Sequence, residues 1–221
     1  MRITTRLMLA AGATAAALIV SAVPAQATGT YTPPVLLSVG HVDAVEVEFE
    51  DGELELGVHD DTVEPGVHRD HDDVIFVVKR QAKTTVPGDP AFGFLGAPGA
   101  PVWILPEIEN PDLLWAGIAT EEIADGVFQD DTVNLRVQKV IGSGQVALYT
   151  ENAVGLPNVL ADSGDGLPDT IALAAGNHLH LNWAFDRAGV YQVTVKATGT
   201  LADTGATVSS EPAHLRFVVL P

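Results

Sequence analysis

Residues 44–58 read AVEVEFEDGELELGV. Val45, Val47 and Phe49 alternate with Glu46, Glu48 and Glu50, the period of a half-buried β-strand, whose successive side chains point to opposite faces. Asp51-Gly52 supplies a two-residue turn of the kind that tight hairpins require, and the alternation resumes at Leu54 and Leu56. The same period runs through DVIFVVK (73–79), TVNLRVQKV (132–140), QVALYT (145–150), HLHLNWAF (178–185), VYQVTVKATGTL (190–201) and HLRFVVL (214–220). Helical spacing is missing from nearly all of the chain; only NPDLLWAGIATEEIAD (110–125) leaves room for a turn or two of helix. Such strands, separated by Gly, Pro, Asn and Asp clusters, predict an all-β fold, an antiparallel β-sandwich. Its C-terminal half reads as immunoglobulin-like, with Trp183 as a core plug and Asp186, Gly189 and Tyr191 as a loose tyrosine corner.

The chain divides into residues 1–27, an N-terminal β region 28–126 and a half-sandwich 127–221, and the last two are also compatible with one continuous domain. MRITTR carries two arginines, LMLAAGATAAALIVSAV is an apolar run, and Ala25-Gln26-Ala27 is a small-residue cleavage site, the three parts of a secretory signal peptide. The mature chain is expected to begin at Thr28 and to be secreted or associated with the cell envelope. No second long apolar segment follows, and the sequence closes on RFVVLP, so neither a membrane span nor a C-terminal anchor is expected after cleavage.

Charge narrows the partners. Without Arg2 and Arg6 the formal charge moves from −18 to −20, which disfavours nucleic acid and anionic bilayers and concentrates cations near the surface. The chain has no cysteine, which excludes thiol catalysis, Cys-ligated zinc and covalent haem attachment. Between Thr84 and Asp125 the sequence is dense in Pro and Gly yet carries Phe92, Phe94, Trp103 and Trp115. Disordered linkers avoid such aromatics, so an ordered loop roofing a site is expected there.

In HLHLNWAF, residues two apart share a strand face, so His178, His180 and Asn182 point one way and Leu179, Leu181 and Trp183 the other. Imidazoles about 7 Å apart along a strand can converge on one ion, but zinc needs a third and usually a fourth ligand. In SVGHVDAVEVEF, His41 and Asp43 have the parity of Val45, Val47 and Phe49, the core side, where a polar pair must find a partner or the sheet's rim. If the two segments meet, three histidines and an acid meet; otherwise His41 and Asp43 form a structural pair and the histidines are ordinary surface groups. Glu121, with Glu122 beside it, is a further candidate ligand from the aromatic segment. VHDDTVEPGVHRDHDD (58–73) holds His59, His68 and His71 among five aspartates, a composition suited to loose cation capture as well as to a hydrated loop. No GxSxG or HExxH occurs, so no catalytic residue is singled out.

Taken in order, LSVGHVDAVEVEFEDGELELGVHDD, AFGFLGAPGAPVWILPE, LLWAGIATE, VALYTENAVGLPNVLADSGDGLPD and NHLHLNWAFDRAGVYQVTVKATGTLAD resemble the actinobacterial surface-anchored proteins of the choice-of-anchor M domain family. The resemblance implies export, envelope attachment through varying tails and genes near ABC transporters similar to manganese or zinc importers. It places the family's HVD, WxxxxTE-like and HxHxNWAF segments at His41 and Asp43, at Glu121, and at His178, His180 and Asn182. The leading expectation is therefore an extracytoplasmic protein binding a divalent cation, zinc before copper or manganese, with ABC transporter components or envelope proteins as partners. The rival is a non-catalytic adhesion or assembly module for a protein or glycan. A zinc hydrolase with Glu121 as base is a third reading.

Overall fold

The computed structural model describes residues 33–221; the expected signal peptide and the start of the mature chain lie outside the described residues. Among the described residues the fold is an all-β sandwich of three sheets. One sheet has the strand order Val35–Leu37, Val74–Val78, Ala213–Val219, Gly189–Leu201, Phe128–Gly142, Asp169–Ala174, with Thr207–Ser209 added beside Gly189–Leu201. A second runs Pro157–Asp162, Val146–Glu151, Asn182–Phe185, Pro101–Leu105, Lys83–Thr85. The third runs His178–His180, Leu114–Ala119, Gly40–Glu50, Glu53–Asp60, Val67–Arg69. Strands from before and after residue 126 share every sheet, so the two regions are woven into one body.

The hairpin read from AVEVEFEDGELELGV is present, with Val47 opposite Leu56 and Glu50 opposite Glu53 across the Asp51-Gly52 turn. Both turn residues have positive φ, 49° and 89°, as a two-residue hairpin requires. One buried core joins all three sheets: Val42, Val45, Val47 and Ile118 from the third, Trp183, Phe185 and Leu105 from the second, Phe76, Tyr191 and Phe217 from the first. Phe217 meets both Trp183 and Phe185, and Phe49 meets Phe128 edge-on, so both smaller sheets pack across to the seven-stranded one. Each fully buried side chain of this size contributes roughly 1.5–3 kcal/mol over its exposed state. The tyrosine corner is also present, the Tyr191 hydroxyl donating to the Arg187 carbonyl at 2.7 Å.

Two sequence expectations are corrected, and the room left for a helix in 110–125 is filled by strand. The 84–125 segment is ordered, but much of it is sheet: Pro101–Leu105 and Leu114–Ala119 are strands, and Trp103 lies buried in the core. Phe92 and Phe94 sit on the 3-10 helix Pro90–Leu95 and pack against Tyr149, away from the histidines. No helix forms in 110–125, because the apolar LLWAGIA run pairs with two neighbouring strands instead. Finally, HLHLNWAF is two strands: His178–His180 belongs to the third sheet and Asn182–Phe185 to the second, with the fully buried Leu181 at the crossing.

Candidate metal centre

The outer face of the third sheet is built from paired positions that run straight across five strands. His68 pairs with His59, His59 with Asp43, Asp43 with Gly117, and Gly117 with His180. Paired residues project to the same side, so this row collects imidazoles and a carboxylate around a position with no side chain. In flanking rows His41 pairs with Trp115, and His178 pairs with Ala119, which pairs with Glu46.

His41 and Asp43 therefore do not lie on the core side with Val45, Val47 and Phe49. Between Asp43 and Glu46 the strand advances three residues while its partner advances two, from His59 to Gly57. Against Leu114–Ala119 the same extra residue falls between Asp43 and Val45. This bulge at Ala44 inverts the parity, so His41 and Asp43 face outward while Val45 and Val47 stay in the core.

One nitrogen from each of His41, His178 and His180 lies within 4.8 Å of the others. His41 Nε2 is 3.1 Å from His178 Nε2, and Asp43 Oδ1 is 2.7 Å from His178 Nε2 and 3.9 Å from His41 Nε2. Tetrahedral zinc with bonds near 2.0–2.1 Å separates its ligand atoms by about 3.3 Å. The far ring nitrogens are engaged elsewhere: His41 Nδ1 lies 2.8 Å from Asp61 Oδ2, and His178 Nδ1 lies 3.1 Å from Glu121 Oε2. Ionised carboxylates only accept, so the bonding network places a proton on both Nδ1 atoms. In neutral rings both Nε2 atoms then carry lone pairs, which face each other across 3.1 Å beside the Asp43 carboxylate. Asp43 Oδ1 is buried and has no hydrogen-bond partner, because its short approach to His178 lacks hydrogen-bond direction.

Burial raises the Asp43 carboxyl above its ordinary range, and His178 and His41 offset that only in part. Burial, with His178 and His41 close by, pushes His180 down to about 4, which keeps its ring neutral and free to donate a lone pair to a cation. Trp115 stacks on His180 with ring centroids 3.7 Å apart, and its indole Nε1–H donates to the Glu107 carbonyl at 2.9 Å. A Cβ at Gly117 would come within 2.7 Å of Asp43 Oδ1 and 3.1 Å of His178 Nε2, so glycine keeps the space between the ligand atoms open.

The remaining candidates separate clearly. Glu121 holds the outer nitrogen of His178, which makes it an orienting group; that engagement speaks against the role of hydrolytic base. Asn182 turns away from the histidines and holds Glu107 through Nδ2–Oε2 and N–Oδ1 contacts of 3.0 and 3.1 Å. His71 does not join His59 and His68. It is buried elsewhere, with Nε2 donating to the Ala44 carbonyl at 3.1 Å. Asp60 is fully buried against Arg69 Nη2 at 2.7 Å and the Thr62 backbone N–H at 2.9 Å, a structural clasp on the strand pair that carries His59 and His68. Burial opposes its ionisation, but the hydrogen bonds from Thr62 and Arg69 outweigh that and hold the carboxyl below its usual range. Asp61, Glu46, Gly117 and Trp115 contribute to the face without having been singled out as ligands from sequence. Asp61 lies in the His- and Asp-rich 58–73 stretch and Trp115 in the aromatic segment, whereas Glu46 carries no local signal in its alternating strand. No protein-family model matches the chain, and neither a curated protein nor a solved structure shows significant similarity to it.

Proposed function

We propose that this chain is an exported metal-capture protein that holds one zinc ion between His41, His178, His180 and Asp43 and hands it to an importer of the ABC type. The observation that carries the reading is the convergence of two bare imidazole nitrogens on a buried, unpartnered carboxylate oxygen. His178 Nε2 lies 3.1 Å from His41 Nε2 and 2.7 Å from Asp43 Oδ1, and unprotonated acceptors at such distances repel one another unless a cation sits among them. Three imidazoles and one carboxylate suit zinc or copper better than manganese, and zinc is the redox-inert choice. Four protein ligands close the coordination shell, which favours holding an ion over activating water on it. The outward position of the site, and the strong negative charge of the chain, formally −18 over all 221 residues, favour capture from dilute solution. Export rests on the signal-peptide pattern of residues 1–27, and delivery to an importer on the resemblance to the choice-of-anchor M domain family.

The test is zinc stoichiometry on the purified domain, by elemental analysis and calorimetric titration, before and after His178→Ala with His180→Ala. Loss of one zinc per chain is expected. Unchanged stoichiometry with unchanged affinity would overturn the assignment and leave the adhesion or assembly reading, which requires no metal.

A further inference from the structure

The same sheet face carries a second constellation, beside the first and made of different residues. Glu46, His59 and His68 each offer a ligand atom, and these lie within 4.8 Å of one another. Glu46 Oε2 is 2.8 Å from His68 Nδ1, and Glu46 Oε1 is 3.5 Å from His59 Nδ1. The Glu46 residue is only 6% exposed, and its Oε2 has no hydrogen-bond partner, since the close His68 nitrogen does not point along a hydrogen-bond direction. A buried carboxylate oxygen without a donor is costly, and here one imidazole stands beside each oxygen of the carboxylate. The His59 and His68 rings meet edge to face at 4.8 Å, the contact imposed by their pairing across neighbouring strands. A Cβ at Gly66 would fall within 2.7 Å of His59 Nε2 and would crowd Asp61 still more, so the turn also leaves room for the imidazole–carboxylate contact.

Asp61 joins the two constellations. Its Oδ2 faces His41 Nδ1 at 2.8 Å, and its Oδ1 faces His59 Nε2 at 3.1 Å. One carboxylate thus accepts an N–H from one histidine of each group. It leaves His41 Nε2 for the first group and His59 Nδ1, 3.5 Å from Glu46 Oε1, for the second. This is the outer-shell arrangement by which a carboxylate sets the tautomer and raises the basicity of metal-bound imidazole, used here twice by one side chain.

We propose that Glu46, His59 and His68 form a second divalent-cation site, and that Asp61 couples it to the His41–His178–His180 site. The ligands of the second site are independent of the function proposed above; the coupling through Asp61 rests on it. Glu46 supplies the buried anionic ligand and His59 and His68 the imidazoles. Three protein ligands leave a position for water or for an incoming ligand atom, so this site is the more open of the two, and His68, with its side chain 57% exposed, is its solvent side. A face with one closed and one open site suits a protein that both holds and exchanges an ion.

The experiment is zinc titration by calorimetry and native mass spectrometry on the mature domain. Two zinc ions per chain are expected in the wild type, and one in each of two double variants, His59→Ala with His68→Ala and His178→Ala with His180→Ala. Glu46→Gln, which keeps the buried volume, is expected to remove the same ion as the first double variant. A single wild-type ion that survives loss of His59 and His68 would overturn the second site and leave the first standing. A single ion that survives loss of His178 and His180 but not of His59 and His68 would overturn the first and uphold the second. For the coupling, Asp61→Asn in each double-variant background is expected to weaken the remaining ion by about tenfold or more. An effect in only one background would overturn the link.

Discussion

Gly117 stands between Asp43 and His180 in the row His68, His59, Asp43, Gly117, His180, and its missing side chain is what makes the row a receptacle. A methyl group there would press on Asp43 Oδ1 and His178 Nε2, the atoms assigned to the cation, while the backbone conformation is ordinary for any residue in a strand. The cost of Gly117→Ala should therefore fall on binding rather than on folding. Zinc affinity at the first site is expected to drop by roughly tenfold to a hundredfold, the scale seen when ligand orientation is disturbed. The thermal midpoint of the chelator-treated protein should stay the same or rise slightly, since alanine fits a strand at least as well as glycine. Unimpaired zinc titration in this variant would show that the cation does not lie between Asp43 and His178.

At the scale of elements, the bulge at Ala44 decides which side chains reach the face. Sequence alternation alone gave the strands, the hairpin turn and the buried apolar positions, because a period of two is repeated over many residues. It put His41 and Asp43 on the wrong side and left Glu46 off the candidate list, because one inserted residue inverts parity and nothing in HVDAVEVEF marks it. It also could not reveal that HLH and NWAF belong to different sheets, since the apolar Leu181 fits either. His71 was legible as a histidine but not as a support: its Nε2–H meets the carbonyl of Ala44, the extra residue of the bulge. Burial lowers the His71 pKa from its ordinary 6.5, only partly offset by that bond and by Asp70 and Asp72. The folded protein thus keeps His71 neutral while the unfolded chain takes up a proton below about pH 6.5, so its contribution to stability is full above that pH and is lost as pH falls. In chelator-treated protein, His71→Gln is expected to cost on the order of 1 kcal/mol at pH 7.5 through the lost bond and altered packing. That gap should narrow by pH 5. Thermal melts at the two pH values check it, and parallel shifts for wild type and variant would remove His71 from the account; His180, lowered in the same direction, leaves a residual slope in both proteins.

At the scale of the whole molecule, the first site ties together residues 137 positions apart in the chain, His41 from an inner strand and His178 from the edge strand of the same sheet. Among the described residues His178–His180 pairs with Leu114–Ala119 alone, so its attachment depends on one ladder and on the crossing at Leu181. An edge strand of three residues is the part of a sheet most ready to open, and a cation gripping both imidazoles adds a second attachment that survives only while the strand is docked. The ion binds the assembled face and not the separated segments, so it must stabilise the fold by mass action: at a free concentration a hundredfold above the dissociation constant, about 2.7 kcal/mol for one site. For a domain of this size that corresponds to a rise of roughly 5–10 °C in the thermal midpoint. Zinc added to chelator-treated protein should produce that rise, and excess chelator should reverse it. In the His178→Ala, His180→Ala variant the portion due to the first site should vanish, and amide exchange at residues 178–180 should no longer slow on adding zinc. A wild-type midpoint indifferent to saturating zinc would mean that the paired lone pairs on this face are neutralised by protons instead, and that the negative surface serves solubility alone.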